Sequence, residues 1–403
     1  MGRFRKICLT CDAQQDAQAL NCGFCAGPLG FQYSYDDVTW DDRFDGTMWR
    51  YWPLLPVDAP DSAVTLGEGG TPLLPARSFG GHQVYLKDET RNPTGSHKDR
   101  SLSVAITHAK AIGADVSVIV STGSAGISNA ALAARAGMRS VVVMTGGTPP
   151  DRLYPMYGLG AVLVEVKALI DPIVQGVIDV CREHGLYLST TSRNSNPYQS
   201  EGNKTIAFEI VEELGRGPDW VVVPVGGGGT VSGVWRGFQD CQALGLIDSV
   251  PRMIGVVPRD YNALQVAFER ELNRWKDVLA LPYDNLPPSI LVKLAHSYPP
   301  DGMEALETIR SSNGFFISVT DEEALSAQEA CGRREGLFVE PSTGACLAGT
   351  TRLMDSGQVR PEDVVVAIVS GSGYRETACT MDSRPLRKQS VSLEELSTSL
   401  RGL

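Results

Sequence analysis

Lys98 stands in the stretch NPTGSHKDR (92–100), behind a Pro, a Gly and small hydroxyl residues, where an apolar helical pattern begins. A lysine partly withdrawn from water has a lowered pKa and attacks carbonyls to form a Schiff base. A merely solvated lysine there would need compensation, because a cation beside the positive end of a helix dipole is mildly unfavourable. Two further segments, STGSAGISN (121–129) and PVGGGGTVSGVW (224–235), each join a β-branched run to a helical pattern. Small residues let backbone amides approach a ligand, and a helix start favours negative charge. Gly226, Gly227, Gly228 and Gly229, with the Thr230 hydroxyl, suit a phosphate. Neither segment is a dinucleotide fingerprint or a P-loop: the GxGxxG spacing fails after Gly228, and no Gly-Lys-Ser/Thr follows at the required distance. A third loop, IVSGSGYRE (368–376), places Ser370 and Ser372 where a polar atom could meet the edge of a planar ligand. A phosphate cup and a carbonyl-seeking lysine together suggest pyridoxal phosphate, whose phosphate takes the cup and whose aldehyde takes the lysine.

A separate chemistry belongs to the first thirty residues. Cys8, Cys11, Cys22 and Cys25 form two CxxC pairs, and four thiolates satisfy one tetrahedral zinc ion. This reads as a structural zinc-ribbon-like segment over 1–32, since four thiolates leave no open coordination position. The gap DAQQDAQALN is short for a ribbon and the usual turn glycine occurs only in NCGFC, so the alternative is a degenerate ribbon whose thiols merely pack. Cys181, Cys241, Cys331, Cys346 and Cys379 are scattered and read as ordinary thiols of a reducing compartment.

These groups need a scaffold. At 403 residues the chain exceeds what one core fills, so two lobes are expected. Short β-branched runs appear at 116–121, 140–144, 161–166, 220–225, 253–257, 315–319 and 364–369. Segments such as SLSVAITHAKAI, NAALAARA, PIVQGVIDVCREH and KTIAFEIVEEL between them have helical spacing. Such alternation predicts an α/β fold with mainly parallel twisted sheets covered by helices, and in such sheets chemistry sits outside the carboxyl ends of the strands. The net charge of −11, spread over short mixed segments, argues against nucleic acid as a partner. The N-terminal MGRFRKICLTCDA has no apolar core of a secretory signal, and nothing reaches the ~18 apolar residues of a membrane span. A cytoplasmic protein with no membrane partner is the expectation.

NPTGSHKDR resembles the NPTGSFKDR lysine motif of threonine synthases and of the wider fold type II pyridoxal phosphate enzymes, the tryptophan synthase β-like group. LGEGGTPL (66–73), YLKDETRNPTGS (85–96), the STG loop, NPYQSEGNKTIAFEIVEELG (196–215), the glycine cup, VTDEEAL (319–325), EGLFVEPSTGACLAG (335–349) and SGSGYRE (370–376) extend the likeness in the family's order. The resemblance implies a large cofactor lobe from 33–111 and 196–380, a small mobile lobe at 112–195, a C-terminal arm at 381–403, and a homodimer. It also implies that Lys98 holds the cofactor and then moves protons, and that Gly226 to Gly229 and Thr230 wrap its phosphate. By the same resemblance Ser121, Thr122 and Gly123 hold the carboxylate of an amino-acid substrate. Ser370 faces the pyridine nitrogen, where a neutral hydroxyl makes a weaker electron sink than an aspartate.

The chain departs from that pattern in four places. Ser124 stands where the family has an Asn against the cofactor's ring hydroxyl. His97 stands where Phe is usual, and packing without acid–base work is its expected role. In the segment that the family directs at a substrate phosphate, RNSNPYQSEG, the arginine place is held by Gln199, with Arg193 and Asn194 in the first two places and Asn196 kept. Losing an arginine removes a bidentate clamp, which Arg193 could replace from the other side of the loop. Finally, VKLAHSYPPDG (292–302) replaces the family's IRIGNP stretch, and SGSGYRE replaces a typical TGxGLKD.

The resemblance implies a threonine synthase, turning O-phosphohomoserine and water into threonine and phosphate. Other readings are a β-replacement enzyme acting on O-phosphoserine or a related amino acid, as in cysteate synthase, or a serine/threonine dehydratase. Intact Lys98, the glycine cup and Ser370 argue against a non-catalytic binding protein of the same fold, and the acidic balance argues against a zinc-ribbon nucleic-acid module.

Overall fold

The computed structural model describes residues 3–16, 19, 22–25, 27–168, 170–283, 286–377, 388 and 390–401. Cys379 and the start of the 381–403 arm lie outside the described residues; a helix, Leu396–Arg401, falls within the arm's later part. At the N-terminus β1 (Phe4–Cys8) pairs antiparallel with β2 (Leu29–Tyr33). Next come β3 (Leu73–Pro75) and β4 (Gln83–Asp88). Then follow β5 (Val116–Val120), β6 (Arg139–Thr145), β7 (Val162–Val166) and β8 (Tyr187–Leu188). The last four strands are β9 (Trp220–Pro224), β10 (Arg252–Pro258), β11 (Phe315–Val319) and β12 (Val364–Val369). A six-stranded sheet has the order β11-β10-β9-β12-β4-β3, parallel except for β3, and a four-stranded parallel sheet has the order β7-β6-β5-β8.

The run VVVAIV shows why the central strands are apolar throughout. Val366 and Ile368 of β12 enter one core with Phe208 and Ile210 of α6 (Lys204–Leu214) and Val234 and Phe238 of α7 (Gly229–Ala243). Val365, Ala367 and Val369 enter another with Ala324 and Cys331 of Asp321–Glu335 and Cys346 and Leu353 of Pro341–Asp355. Successive side chains point to opposite faces, so a strand covered on both sides has no solvent face to mark with polar residues. The helix α1 (Lys98–Ala111), expected with the large lobe, places Leu102, Ile106 and Ala109 in one core with Ile119 of β5, Val142 of β6 and Leu132 of α2 (Ser124–Ala136). Its first turn stands at the end of the six-stranded sheet while its body covers the four-stranded one.

A buried ion cluster fixes that first turn. Arg100, fully buried, meets Glu89 through Nε at 2.7 Å and Nη2 at 2.8 Å, and Glu209 of α6 through Nη1 at 2.6 Å and Nη2 at 2.7 Å. Lys87 of β4 adds a contact to Glu209 at 3.0 Å. Burial alone would raise the Glu209 pKa, but Arg100 and Lys87 outweigh it and hold the carboxyl at about 2. One residue earlier in the turn, Asp99 accepts from the Thr94 amide at 2.7 Å and its hydroxyl at 2.6 Å, closing the NPTGS segment onto the helix start. Removing one side of a buried ion pair leaves the other charge unmatched, so Arg100→Met is expected to lower the unfolding free energy by about 3–5 kcal/mol in urea titrations. Adding Glu209→Gln to that variant should recover part of the loss.

Candidate active site

Strands β9, β12 and β4 lie side by side and parallel, so their carboxyl ends deliver three loops to one place. From β9 comes the glycine cup, from β12 the Ser370 loop, and from β4 the turn leading to Lys98. The loops are stitched together: the His97 amide donates to Ser370 O at 3.1 Å and the Ser372 amide to Gly95 O at 2.9 Å. Opposite them the STG loop leaves β5 of the other sheet and opens α2. Ser121 Oγ accepts from the Gly123 amide at 3.2 Å and the Gly126 amide at 3.0 Å. That leaves the Ser124 and Ala125 amides, which precede the reach of any helix carbonyl, at the head of α2.

Between these loops is a cavity of about 560 Å³, within the usual range for a small-molecule site. Its wall carries Lys98, Ser121, Thr122, Gly123, Ser124, Asn194, Gln199, Gly226, Gly227, Gly228, Gly229, Thr230 and Ser370 of the residues picked out from the sequence, together with His97. A second hollow of about 340 Å³, between Ser78–His82 and the Asp321–Glu335 helix, shares no residue with it.

The cup is shaped by its lack of side chains. Gly228 has φ +101°, and a Cβ there would lie 2.7 Å from Asp301 O, while one on Gly226 would lie 2.3 Å from Lys293 O. Backbone therefore lines the cup at the start of α7, as a phosphate requires. Burial pushes the Lys98 pKa down to about 8 against the opposing pull of Asp301 and Glu340, leaving part of the amine neutral near physiological pH. Ser370 Oγ donates to Glu340 Oε1 at 2.7 Å. Burial would raise the Glu340 pKa, but Lys293 and Arg375 bring it down to about 2. His97 places Nδ1 2.9 Å from Ser370 O and Nε2 3.1 Å from Thr230 Oγ1. The lysine, the phosphate-sized cup and the hydroxyl loop thus fit pyridoxal phosphate.

Two sequence-picked residues lie elsewhere. Arg193, 1% exposed, turns to Glu304 at 2.9 Å and Glu201 at 3.2 Å and does not line the cavity. Its expected place as a direct phosphate clamp is not what this geometry supports, because both carboxylates already hold the guanidinium. Asn196 caps α5 (Pro197–Glu201), accepting from the Tyr198 amide at 3.0 Å and donating to Leu188 O at 2.9 Å. Gln199, in the family's arginine place, donates to Ser200 Oγ at 2.9 Å. Three groups were not singled out from the sequence: Lys293, Glu340 and Asp301. Lys293 Nζ contacts Ser124 Oγ at 2.9 Å and the carboxylates of Glu340 and Glu376, each at 2.6 Å. The signal for Lys293 and Asp301 was the altered stretch 292–302; for Glu340 it was the EPSTG motif, quoted without a role. The Asp301 carboxyl accepts from Ser192 Oγ and the Arg193 amide through Oδ1, and its Oδ2 lies behind Gly229 without a partner.

Far from the cavity, the Sγ atoms of Cys8, Cys11, Cys22 and Cys25 all lie within 4.8 Å of one another. A zinc ion with Zn–S of about 2.3 Å sets neighbouring sulfurs about 3.8 Å apart, close to the observed 3.5–3.6 Å contacts. The Thr10 amide donates to Cys8 Sγ and the Phe24 amide to Cys22 Sγ, at 3.3 and 3.4 Å.

A family model described as pyridoxal-phosphate dependent enzyme matches residues 64–371, and the chain belongs to that family. Its cofactor is pyridoxal phosphate and its architecture is fold type II. Threonine synthase of Methanocaldococcus jannaschii is 34% identical over 385 residues, covering 92% of each chain. That of Methanosarcina acetivorans is 32% identical over 387 residues, covering 93% of each. Among solved structures, O-ureido-L-serine synthase aligns with a TM-score of 0.63 at 22% identity, covering 81% of this chain and 96% of that one. Threonine deaminase isoform 2 of Solanum lycopersicum aligns with a TM-score of 0.64 at 18% identity, covering 78% and 88%. These two likenesses speak for the fold. Among the described residues no helix is long and apolar enough to cross a membrane.

Gly228→Ala tests the cup directly. Its left-handed backbone costs an alanine roughly 1–3 kcal/mol before the clash with Asp301 O is counted. The variant should lose pyridoxal phosphate affinity at least tenfold in equilibrium titrations, while the phosphate-free pyridoxal binds as it does to the parent protein.

Proposed function

We propose that the chain is a threonine synthase, converting O-phosphohomoserine and water to threonine and inorganic phosphate. The observation that carries the reading is the convergence of Lys98, the glycine cup and the STG loop on one cavity, in a chain that aligns with curated threonine synthases over nearly its whole length. When bound, the cofactor supplies the electron sink that lets protons leave an amino acid's carbons and lets the γ-substituent depart. In this proposal Lys98 Nζ would hold the cofactor aldehyde and, as a free amine beside the substrate, would take and return protons. Gly226 to Gly229 and Thr230 bind the phosphate of the cofactor. Ser121, Thr122 and Gly123 receive the substrate carboxylate at the head of α2, and closure of the 112–195 lobe brings them onto it.

Ser124 takes the place of the family's Asn with help. Lys293 donates to Ser124 Oγ, so the serine's own proton is free for the cofactor's ring oxygen. Ser370 faces the ring nitrogen, and with its proton given to Glu340 it presents a lone pair there. The lysine and arginine side chains on the described cavity wall are Lys98 and Lys293, and Lys293 is already paired with Glu340 and Glu376.

Incubating the cofactor-loaded protein with O-phosphohomoserine should yield threonine and phosphate in equal amounts, and neither with Lys98→Ala. A second reading, β-replacement on O-phosphoserine, is favoured by the absence of any arginine from the described cavity wall. If the loaded protein keeps its visible cofactor absorption yet releases no threonine, while O-phosphoserine with sulfite or a thiol yields product, that reading replaces the first.

The same proposal gives the four N-terminal thiols one structural zinc ion. Metal analysis should find about one zinc per chain, and Cys8→Ser should lower the thermal midpoint while the cofactor absorption persists. A homodimer and a cytoplasmic location belong to this reading, the first carried by the resemblance and the second by the scattered thiols.

A further inference from the structure

We propose that His97 is a proton-carrying positioning residue: through the Thr230 hydroxyl, its ring takes up a proton when a phosphate docks in the glycine cup. The inference rests on the reading that the cup receives the cofactor's phosphate, and it goes beyond it by assigning a charge state to a residue where the family has a phenylalanine.

The hydrogen bonds dictate the bookkeeping. His97 Nδ1 lies 2.9 Å from Ser370 O, a carbonyl that can only accept, so Nδ1 carries a hydrogen. In a neutral ring Nε2 is then bare, and at 3.1 Å from Thr230 Oγ1 it accepts the threonine's only hydroxyl proton. A Thr230 in that state meets a phosphate oxygen as one acceptor facing another. For Thr230 to donate to the phosphate, its proton must turn toward the cup and Nε2 must supply the hydrogen that Oγ1 then accepts. With Nδ1 still donating to Ser370 O, both ring nitrogens are protonated and the ring is a cation.

The charges around the ring favour that change. Without a phosphate, burial and then Lys98 push the His97 pKa down to about 4, against a smaller opposite pull from the Ser370 carbonyl and then Glu340 and Glu89. The ring is therefore neutral over the physiological range. A phosphate dianion reverses the balance, and the cup offers it amides and a helix dipole but no fixed cation. With the cofactor Lys98 is committed to the aldehyde, with an aldehyde-free ligand it is present equally in the parent and in a His97 variant, and Lys293 is held by Glu340 and Glu376. Asp301, which burial and then Glu304 raise to about 7, backs Gly229 from the other side and repels the phosphate when ionised. Protonating His97 supplies the missing countercharge one hydroxyl away.

The test uses the full-length protein freed of cofactor and pyridoxine 5′-phosphate, which carries the phosphate but no aldehyde for Lys98. Above pH 7.5 the ligand's phosphate, with its second pKa near ~6, is already a dianion, so a proton taken up does not go to the phosphate, and pyridoxine, which has the same ring without it, serves as the blank for the ring's own protons. Calorimetry at pH 8 in two buffers of different ionisation enthalpy should count close to one proton taken up by the parent protein and a smaller number by His97→Phe. Affinity should weaken toward tenfold per pH unit in the parent and more gently in the variant. Nitrogen NMR of the parent's His97 should show a bare Nε2 without ligand and two protonated ring nitrogens with it.

Binding without proton uptake, with Nε2 still bare, overturns the inference. So does uptake of equal size in His97→Phe, which would place the proton on Asp301 or another group. Should pyridoxine 5′-phosphate bind no tighter than pyridoxine, the phosphate-cup reading fails and takes the inference with it. That outcome is distinct from the other two, in which the phosphate binds.

Discussion

The bidentate grip of Arg100 on Glu89 and Glu209 is the constraint on which the site depends. It joins the end of β4, the start of α1 and the middle of α6. Lys98 precedes Arg100 by two residues in the first turn of α1, so fixing Arg100 fixes where the lysine's Cα stands. The arrangement is stable only as a whole. Arg100 presents a planar fork to two carboxylates that take four of its five N–H groups; Thr205 takes the fifth at 3.0 Å, and Thr71 Oγ1, 2.9 Å from Nη2, shares one of the others. A buried cluster of this kind is weak evidence for stability in itself, since well-packed apolar residues could hold the same volume. What it adds is direction: apolar packing allows α1 to rotate or slide, whereas a doubly bidentate fork does not.

That rigidity matters because α1 serves two masters in the fold. Its body is buried with the four-stranded sheet through Leu102, Ile106 and Ala109, while its first turn is tied to the carboxyl ends of the six-stranded one. A lobe that moved with α1 as a unit would drag Lys98 with it. The cluster ties the start of α1 to β4 and α6, so any shift of the helix body would be taken up beyond the first turn, leaving Lys98 in register with the cup. The ion pair between Arg152 of Pro150–Gly158 and Glu376, at 3.3 Å, adds a second tie across the same divide. Glu376 also holds Lys293, so that tie reaches the cavity wall itself.

What could be read from the sequence follows from how local each feature is. The apolar runs of β5, β6, β9, β10, β11 and β12 are strands because both faces of their sheets are covered, and continuous β-branched residues announce that. Strand β4 was hidden because QVYLKD brings Lys87 and Asp88 into the interior, where Lys87 is satisfied by partners more than a hundred residues away. Strand β8 has two residues and exists only because β5 offers an edge beside it. At the site, Lys98, the cup and Ser370 were legible because each follows a strand directly and carries its chemistry in adjacent residues. Arg193 was read as available because its type suits a phosphate, but Glu304 and Glu201, which claim it, stand 111 and 8 residues away. Lys293 was passed over for the opposite reason: nothing beside it in the chain says that it will meet Ser124, Glu340 and Glu376.

The fate of Arg193 also joins the N-terminal segment to the site. Its Nη1 reaches Leu29 O of β2 at 3.5 Å, and Tyr33 of the same strand donates to Glu201 at 2.8 Å. Lys204, over the Tyr33 ring at 3.8 Å, pairs with Glu201 and Asp240. The thiol-bearing segment thus sits on a charged platform whose other face is α5, the short helix that carries Gln199 into the cavity wall. An arginine turned outward toward a substrate phosphate would leave Glu201 with Lys204 alone and Glu304 with Arg236 alone, one ion pair fewer for each in the interior, which the low dielectric there makes costly. Gln199, being neutral, asks for no countercharge and tolerates its buried place with one hydrogen bond to Ser200. The two departures are therefore coupled: with the arginine drawn into the platform that seats β2, α5 presents the neutral amide of Gln199 to the cavity wall, and the cation that stands across the cavity is Lys293, itself paired with Glu340 and Glu376.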